Sequence, residues 1–179
     1  MKIKNLFISI IFIFIMCITI TGCGNNNLKN VEPNQKVGLV KYYVPEDYQN
    51  RNDLRGLFYS EENRKVYAKG DTNDYSTFFY IDMIKSSSNG QKLGDYINDV
   101  NTNNLKEGDV KLKKFDNEHI LVYAREGYEI KKGGIEIINY AYITQVDDSS
   151  FYTLTISGPK SNIKEIEEIA KKSAYSLQK

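Results

Sequence analysis

Few side chains in this chain are of the types that carry catalysis. Its 179 residues include one histidine, His119, and two cysteines, Cys17 and Cys23. His119 precedes an apolar run at residues 120–123, a pattern typical of a histidine at the edge of a strand. The sequence contains no phosphate-binding loop, zinc-protease helix motif or nucleophile-elbow motif. We therefore predict no catalytic residue and no enzyme activity.

The acidic residues also fail to form a cation site or an acid/base pair. Residues 71–75 begin like a calcium loop, but Tyr75 stands where an oxygen ligand is needed and Ser76 where glycine is needed. Asp147 and Asp148 are adjacent, and neighbouring residues of a strand face opposite ways, so we predict that they form a turn. A single imidazole adds at most one metal ligand. The sequence predicts no metal site.

The amino-terminal residues have the layout of a secretory leader. Lys2 and Lys4 precede an apolar run at residues 6–20, which is short for a membrane-spanning helix. The run ends in Ile20-Thr21-Gly22-Cys23, which resembles the lipobox of bacterial lipoproteins. The resemblance implies cleavage before Cys23, with a diacylglyceryl thioether and an N-linked acyl chain (palmitate) on that cysteine. An uncleaved signal anchor with a chance cysteine is the alternative.

This leader divides the chain into three parts. We predict a signal peptide at residues 1–22, a lipidated cysteine and flexible tether at residues 23–35, and one globular domain at residues 36–179. The lipid anchor would hold the protein on the extracytoplasmic face of the cell membrane, with no cofactor beyond the lipid at Cys23. Without Lys2 and Lys4 the chain has 22 basic and 23 acidic residues, a net charge of −1, and this balance gives no reason to expect nucleic acid as a partner. We expect a monomer.

Apolar periodicity predicts strands followed by helices in the domain. Helices are expected at residues 91–103 and 162–177, where apolar residues recur at helical spacing. Asn162 with Glu165 three residues later resembles a capping box. Gly133 and Gly134 favour a tight hairpin turn. Strands are predicted at residues 36–44, 57–60, 64–69, 76–85, 109–115, 119–130, 135–146 and 150–157.

These elements predict an α+β fold. The last three strands are joined by short turns, so they must be antiparallel. Residues 135–146 are apolar at both parities, as expected of a central strand covered on both faces. We predict an antiparallel sheet of about six to eight strands with helices packed on it, mainly two longer helices.

Three stretches of the domain resemble the PsbP/Mog1 family. They are residues 41–48, which read Lys-Tyr-Tyr-Val-Pro-Glu-Asp-Tyr, the strand–helix step at residues 78–100, and the final strand and helix at residues 151–177. The position that is often tryptophan in this family is Tyr48 here. The resemblance implies an α/β/α sandwich and no reaction, because family members include accessory proteins and uncharacterised bacterial lipoproteins. It assigns no functional residue.

Tyrosines on the predicted central strands are candidates for a ligand groove. Tyrosine is large and rigid and has both apolar and polar parts, which suits binding sites. A basic patch from Lys111, Lys113 and Lys114 with Lys131 and Lys132 is a weaker candidate than a charged edge strand. The proposed groove residues are Tyr80, Tyr123, Tyr140, Tyr142 and Tyr152.

The leader and the lack of catalytic motifs together favour one class of function. We expect a non-catalytic accessory or binding module of an envelope complex, with a protein partner in the envelope. The first alternative is a small-ligand or ion receptor that uses the tyrosine-lined sheet face. The least favoured is a hydrolase of envelope polymers.

Overall fold

The structure of the protein is a computed structural model that describes residues 26–103 and 109–179. The predicted signal peptide and Cys23 lie outside the described residues. The domain contains a seven-stranded antiparallel sheet and a separate two-stranded hairpin, which confirms the predicted α+β class. Its strands are β1 (Gln35–Val37), β2 (Val40–Tyr42), β3 (Gln49–Asn50), β4 (Arg64–Lys69), β5 (Phe79–Ser87), β6 (Lys113–Phe115), β7 (Val122–Lys132), β8 (Ile135–Asp147) and β9 (Ser150–Pro159). Its helices are α1 (Asn26–Lys29), α2 (Leu93–Asn103) and α3 (Ile163–Tyr175).

The strand order in the large sheet is β3-β4-β5-β9-β8-β7-β6. The β7–β8 hairpin turns at Gly133 and Gly134, which have φ values of +56° and +82°, so the predicted glycine turn is confirmed. β8 lies between β9 and β7. Its buried apolar residues occupy both faces, with Ile138 and Tyr142 on one and Ile137 and Ile143 on the other. β8 is therefore an interior strand with buried apolar residues on both faces, as its sequence pattern predicted, although a helix covers only part of one face.

The two faces of the large sheet are covered unequally. We call the covered face the one against which α3 and the β1–β2 hairpin pack, and the open face the opposite one. The main core lies on the covered face and includes Ile81, Leu154 and the α3 residues Ile166 and Ala170. On the open face, α2 covers only one end, where Leu93 and Ile97 pack with Ile143 and Phe151. The rest of the open face has no helix on it among the described residues.

Helix α3 is held at its ends differently from the prediction. The chain enters it through a 3-10 turn at Lys160–Asn162, and the Asn162 side chain makes no capping hydrogen bond, so the predicted capping box is wrong. At the other end, the Asn117 side chain donates hydrogen bonds to the carbonyl oxygens of Ala174 (2.9 Å) and Leu177 (3.1 Å). A residue distant in sequence thus adds hydrogen bonds at the carboxyl-terminal end of the helix.

The segment predicted to be a flexible tether packs on the domain wherever it is described. Lys29 in α1 lies 3.0 Å from the Asp116 carboxylate and 5.3 Å from the centre of the Tyr175 ring. The Asn34 side chain both donates to the carbonyl oxygen and accepts from the backbone N–H of Val44, at 2.7 and 2.9 Å. These contacts hold both ends of residues 29–34 against the domain.

Two predicted strands differ from the structure. Residues 36–44 form a hairpin, because Gly38 turns the chain at a φ of +54°. Residues 57–60 form an exposed turn after Gly56, at a φ of +84°, and β4 pairs with β3 and β5 instead. Among the described residues, no helix is long and apolar enough to span a bilayer.

Candidate binding surface

The five tyrosines proposed from the sequence do not line one groove. Tyr140, Tyr142 and Tyr152 lie on the covered face and are buried in the main core. Tyr80 lies on the open face, as does Tyr123, which packs with the cluster under α2. The prediction of one groove is wrong for a geometric reason. Neighbouring residues of a strand point to opposite faces, and the strand register, which decides the face on which each tyrosine lies, cannot be read from the sequence of one strand.

The three tyrosines on the covered face are core residues. Burial raises the pKa of Tyr140 to about 12 and raises the pKa of Tyr142 further. The Tyr142 hydroxyl donates a hydrogen bond to the Glu126 carboxylate at 3.0 Å, and the Tyr152 hydroxyl accepts one from the Leu39 backbone N–H at 3.3 Å. These hydroxyls complete the packing of the core and are not available to a ligand.

The open face carries a row of polar and aromatic residues near its centre. Strand pairing places Tyr80 beside Ser157, Ser157 beside Asn139, and Asn139 beside Tyr128. The Ser157 hydroxyl donates to the Asn139 side chain, whose amide donates to the Tyr128 carbonyl oxygen at 3.3 Å. Tyr80 and Tyr128 are half-buried at the two sides of this buried polar pair. The two rings therefore offer aromatic surface on a floor that is already hydrogen-bonded.

An ion pair lies in the neighbouring rows of the same face. The Arg64 guanidinium donates two hydrogen bonds to the Asp82 carboxylate, at 3.0 and 2.7 Å. Asp82 is only 7% exposed. Burial raises the pKa of Asp82 despite the opposing effect of Arg64, whereas the hydrogen bond to Asp82 raises the pKa of Arg64. The pair is thus a largely desolvated, two-pronged contact that fixes the orientation of Arg64.

A second arginine, Arg125, lies on the open face in strand β7. The guanidinium carbon of Arg125 lies 4.4 Å from the centre of the Tyr128 ring, and its Nη2 atom is 3.5 Å from the Asp109 carboxylate. Arginines stacked on tyrosines present flat, rigid surfaces that suit contact with another macromolecule. Together Arg64, Tyr80, Arg125 and Tyr128 surround the part of the open face that α2 leaves uncovered.

The part of the open face that α2 leaves uncovered does not form a small-molecule pocket. At the end away from α2, a cavity of about 40 Å³ lies between Tyr75, Phe78 and Tyr80, with the Lys132 ammonium 4.9 Å from the Tyr75 ring centre. Pockets for drug-sized ligands are usually about 300–1,000 Å³. The surface suits an extended contact with a partner better than enclosure of a ligand.

The larger concavity is a cleft on the covered side. It has a volume of about 620 Å³ and is lined by Lys36, Lys65 and Lys85 together with Glu61 and Glu62. None of the three lysines makes an ion pair within 4 Å among the described residues. We call it the lysine cleft. No pattern in the sequence indicates this cleft, because its lysines come from three separate strands.

The other candidates from the sequence are dispersed. Lys113 pairs with Ala124 at one part of β7, whereas Lys131 and Lys132 lie at its far end, about 23 Å away at about 3.3 Å per residue. They form no single basic patch. His119 is exposed in the turn before β7, and its backbone N–H donates to the Asn117 side chain at 2.8 Å.

The calcium-like loop is a pair of side-chain turns. Asp71 accepts a hydrogen bond from the Asn73 backbone N–H, and Asp74 accepts one from that of Ser76, each at 2.9 Å. In the described part of the chain, no group of three or more His, Cys, Asp or Glu side chains is placed to hold a metal ion.

Comparisons with known proteins give only distant similarity. No family model matches the chain, and no curated protein matches it. One solved structure to which it is similar, from Bacteroides thetaiotaomicron VPI-5482, has a TM-score of 0.46 and 14% identity over 83% of this chain and 48% of that chain. The chain thus spans about half the length of that protein. Another is LpqN, involved in cell envelope biogenesis of Mycobacterium tuberculosis, with a TM-score of 0.46 and 12% identity over 83% of this chain and 84% of that chain. The resemblance to the PsbP/Mog1 family stays a prediction.

Proposed function

We propose that this protein is a membrane-tethered, extracytoplasmic binding module without catalytic activity, and that a protein partner of the envelope binds its open face. One observation carries the proposal. The sheet face beside α2 is uncovered, yet it holds the desolvated Arg64–Asp82 pair and the half-buried rings of Tyr80 and Tyr128.

The composition of the face favours a protein partner. Tyrosine and arginine are enriched at the centres of protein interfaces, where rigid side chains lose little entropy on binding. Arg64 is held by Asp82, and Arg125 stacks on Tyr128, so both are ordered before a partner arrives. Such ordering lowers the entropic cost of association. The floor between the rings is a hydrogen-bonded Ser157–Asn139 pair rather than a cavity.

A lack of reactive groups on the face supports a non-catalytic role. Its central carboxylate, Asp82, is held by Arg64, and no second carboxylate is paired with it among the described residues. The single histidine lies outside the face, in the turn before β7. The geometry therefore offers contact surface and no acid/base pair of the kind that hydrolysis needs.

The tether is the second part of the proposal. A lipid on Cys23 would hold the domain beside the membrane, where the local concentration of an envelope partner is raised. Two acyl chains hold a protein on a bilayer stably, whereas one holds it only marginally.

Capture of the lipidated protein from its own membranes tests this function. The test variant is Tyr128→Ala on the open face, and the matched control is Tyr43→Ala, a half-buried tyrosine beside α3 on the covered side. We expect a defined partner to be retained by the wild-type protein and by Tyr43→Ala but lost by Tyr128→Ala. Equal recovery by both variants would exclude the open face as the binding surface.

The role of the tether has its own control. Cys23→Ala removes the only site of lipidation implied by the lipobox and should reduce recovery of the same partner, because the domain leaves the membrane. Recovery unchanged in Cys23→Ala would show that tethering is not needed for the interaction.

A further inference from the structure

The turn before β4 exposes two large apolar side chains next to each other. Leu57 is 100% exposed and Phe58 is 97% exposed, and Tyr59 follows with a partly exposed ring. Single apolar residues on a surface are common, but an adjacent pair that touches nothing marks a contact with another apolar phase. We call residues 55–60 the apolar loop.

The apolar loop is held in place at its base. Arg64 donates a hydrogen bond from Nη1 to the Arg55 carbonyl oxygen at 2.7 Å, and its guanidinium lies 5.2 Å from the Tyr59 ring centre. Gly56 at a φ of +84° turns the chain so that Leu57 and Phe58 project beyond these contacts. Since Arg64 is itself fixed by Asp82, the tip is presented by an ordered support.

The loop lies at the same end of the sheet as the start of the described chain. β4 begins at Arg64, and the strand pairing leads from Arg64 through Ile84, Thr153 and Ile143 to Tyr123 and Lys114 in β6. Asp116, just beyond β6, binds Lys29 of α1. We call this the anchor end. Five inter-strand steps separate β4 from β6, which puts these two strands about 24 Å apart at about 4.8 Å per step.

The length of chain before α1 keeps this end near the anchor. Asn26 follows Cys23 by only three positions, and three residues span at most about 11 Å. If Cys23 carries lipid, as the proposed function states, the surface of the membrane must lie close to the anchor end. Leu39 and Leu121, which are also exposed, lie in turns at this end.

We infer that the apolar loop inserts Leu57 and Phe58 into the bilayer that carries the Cys23 lipid, so that the domain stands on its anchor end with the open face turned sideways. This inference rests on the proposed lipid anchor. Arg51 and Arg55 lie beside the tip of the loop in the chain, where they pair with Asp53 and Glu61, and long basic side chains at a membrane surface extend toward lipid headgroups. The lysine cleft opens next to the loop, with Glu61 and Glu62 beside its three lysines.

The absence of tryptophan from the chain allows a direct test. In the full lipidated protein, Phe58→Trp places one fluorophore at the loop tip. The matched control is Ile130→Trp, because Ile130 is 45% exposed and lies at the opposite end of the sheet, paired with Ile137. Both proteins are reconstituted in vesicles whose lipids carry bromine about 5–10 Å below the headgroups, the depth reached by interfacial apolar residues.

We expect the Phe58→Trp emission to shift to shorter wavelength and to be quenched by the brominated lipid, while Ile130→Trp emits as in water. Leu57→Trp should behave as Phe58→Trp does, which guards against a local effect of one substitution. Emission as in water from both loop variants on membrane-bound protein would overturn the inference and leave the anchor intact.

A sedimentation measurement separates this inference from the proposed anchor. The lipidated wild-type protein should pellet with the vesicles. If it stays in solution as Cys23→Ala does, the anchor is wrong and the loop inference is overturned with it. If it pellets, the fluorescence of the loop variants alone decides the orientation.

Discussion

Replacing Arg64 by leucine leaves the Asp82 carboxylate largely buried without its cationic partner. Asp82 has a side chain only 10% exposed, and Arg64 supplies two hydrogen bonds to it. Breaking one side of a buried pair is costly because the remaining charge is not hydrated. We expect Arg64→Leu to lower the free energy of unfolding at pH 7 by about 2–4 kcal/mol.

The upper limit follows from protonation of Asp82. A carboxyl with an ordinary pKa of 3.8 can escape the penalty by binding a proton, which costs about 4 kcal/mol at pH 7 and about 1.6 kcal/mol at pH 5. The penalty of Arg64→Leu should therefore shrink on going from pH 7 to pH 5. The direction of this pH dependence follows from the linkage between proton binding and folding. A carboxyl whose pKa is raised on folding contributes stability that is complete below its unfolded pKa and is lost as the pH rises through its folded pKa.

Urea unfolding followed by circular dichroism at the two pH values measures this effect. The double variant Arg64→Leu with Asp82→Leu should recover most of the loss, because it leaves no buried charge. Arg51→Leu is the control, since Arg51 pairs with Asp53 on the surface, and we expect no measurable change. A penalty equal at pH 5 and pH 7, or a double variant as unstable as Arg64→Leu, would show that the unpaired charge of Asp82 is not the cause of the loss.

Three further predictions concern other parts of the fold. Asn117→Ala should lower stability by about 2–3 kcal/mol in urea unfolding, because it removes the hydrogen bonds that cap α3; a loss near zero would show that water replaces them. Gly70→Ala should destabilise by more than about 1 kcal/mol, since its Cβ would meet the Thr77 carbonyl oxygen, and by more than the control Gly90→Ala, which has a similar φ but open space around its Cβ. In an alkaline absorbance titration, Tyr140 should stay protonated to about pH 12; because its pKa is raised, the stability it contributes is complete below about pH 10 and is lost as the pH rises through the folded pKa of about 12. Ionisation of all tyrosines near pH 10 without unfolding would contradict this burial.

The sequence predicted the elements better than their faces. Helical spacing located both longer helices, and the apolar residues at both parities of β8 placed it in the middle of the sheet. Whether Tyr80 and Tyr142 share a face depends on strand register, and a shift of one residue reverses every side chain. Register is set by pairing across the whole sheet. The sequence of one strand therefore does not show which tyrosines of different strands share a face.

The open face itself had no signature in the sequence. Arg64 and Asp82 are 18 positions apart, and they meet because β4 pairs with β5 in one particular register. Likewise, the hydrogen bonds of Asn34 to the Val44 backbone and of Asn117 to the end of α3 form only when the chain has folded. Contacts between polar residues that are distant in sequence depend on the final topology, whereas apolar periodicity can be seen within a short stretch of sequence.

We propose that the open face binds an envelope protein while Cys23 holds the domain at the membrane. Photo-crosslinking in living cells tests it most directly, with a photoreactive phenylalanine analogue at Tyr128 on the open face or at Tyr43 on the covered side. We predict one discrete crosslinked species from position 128, none from position 43, and its loss when Cys23→Ala is combined with the position 128 label. The same species from both positions, or none from position 128 in lipidated protein, would contradict the account.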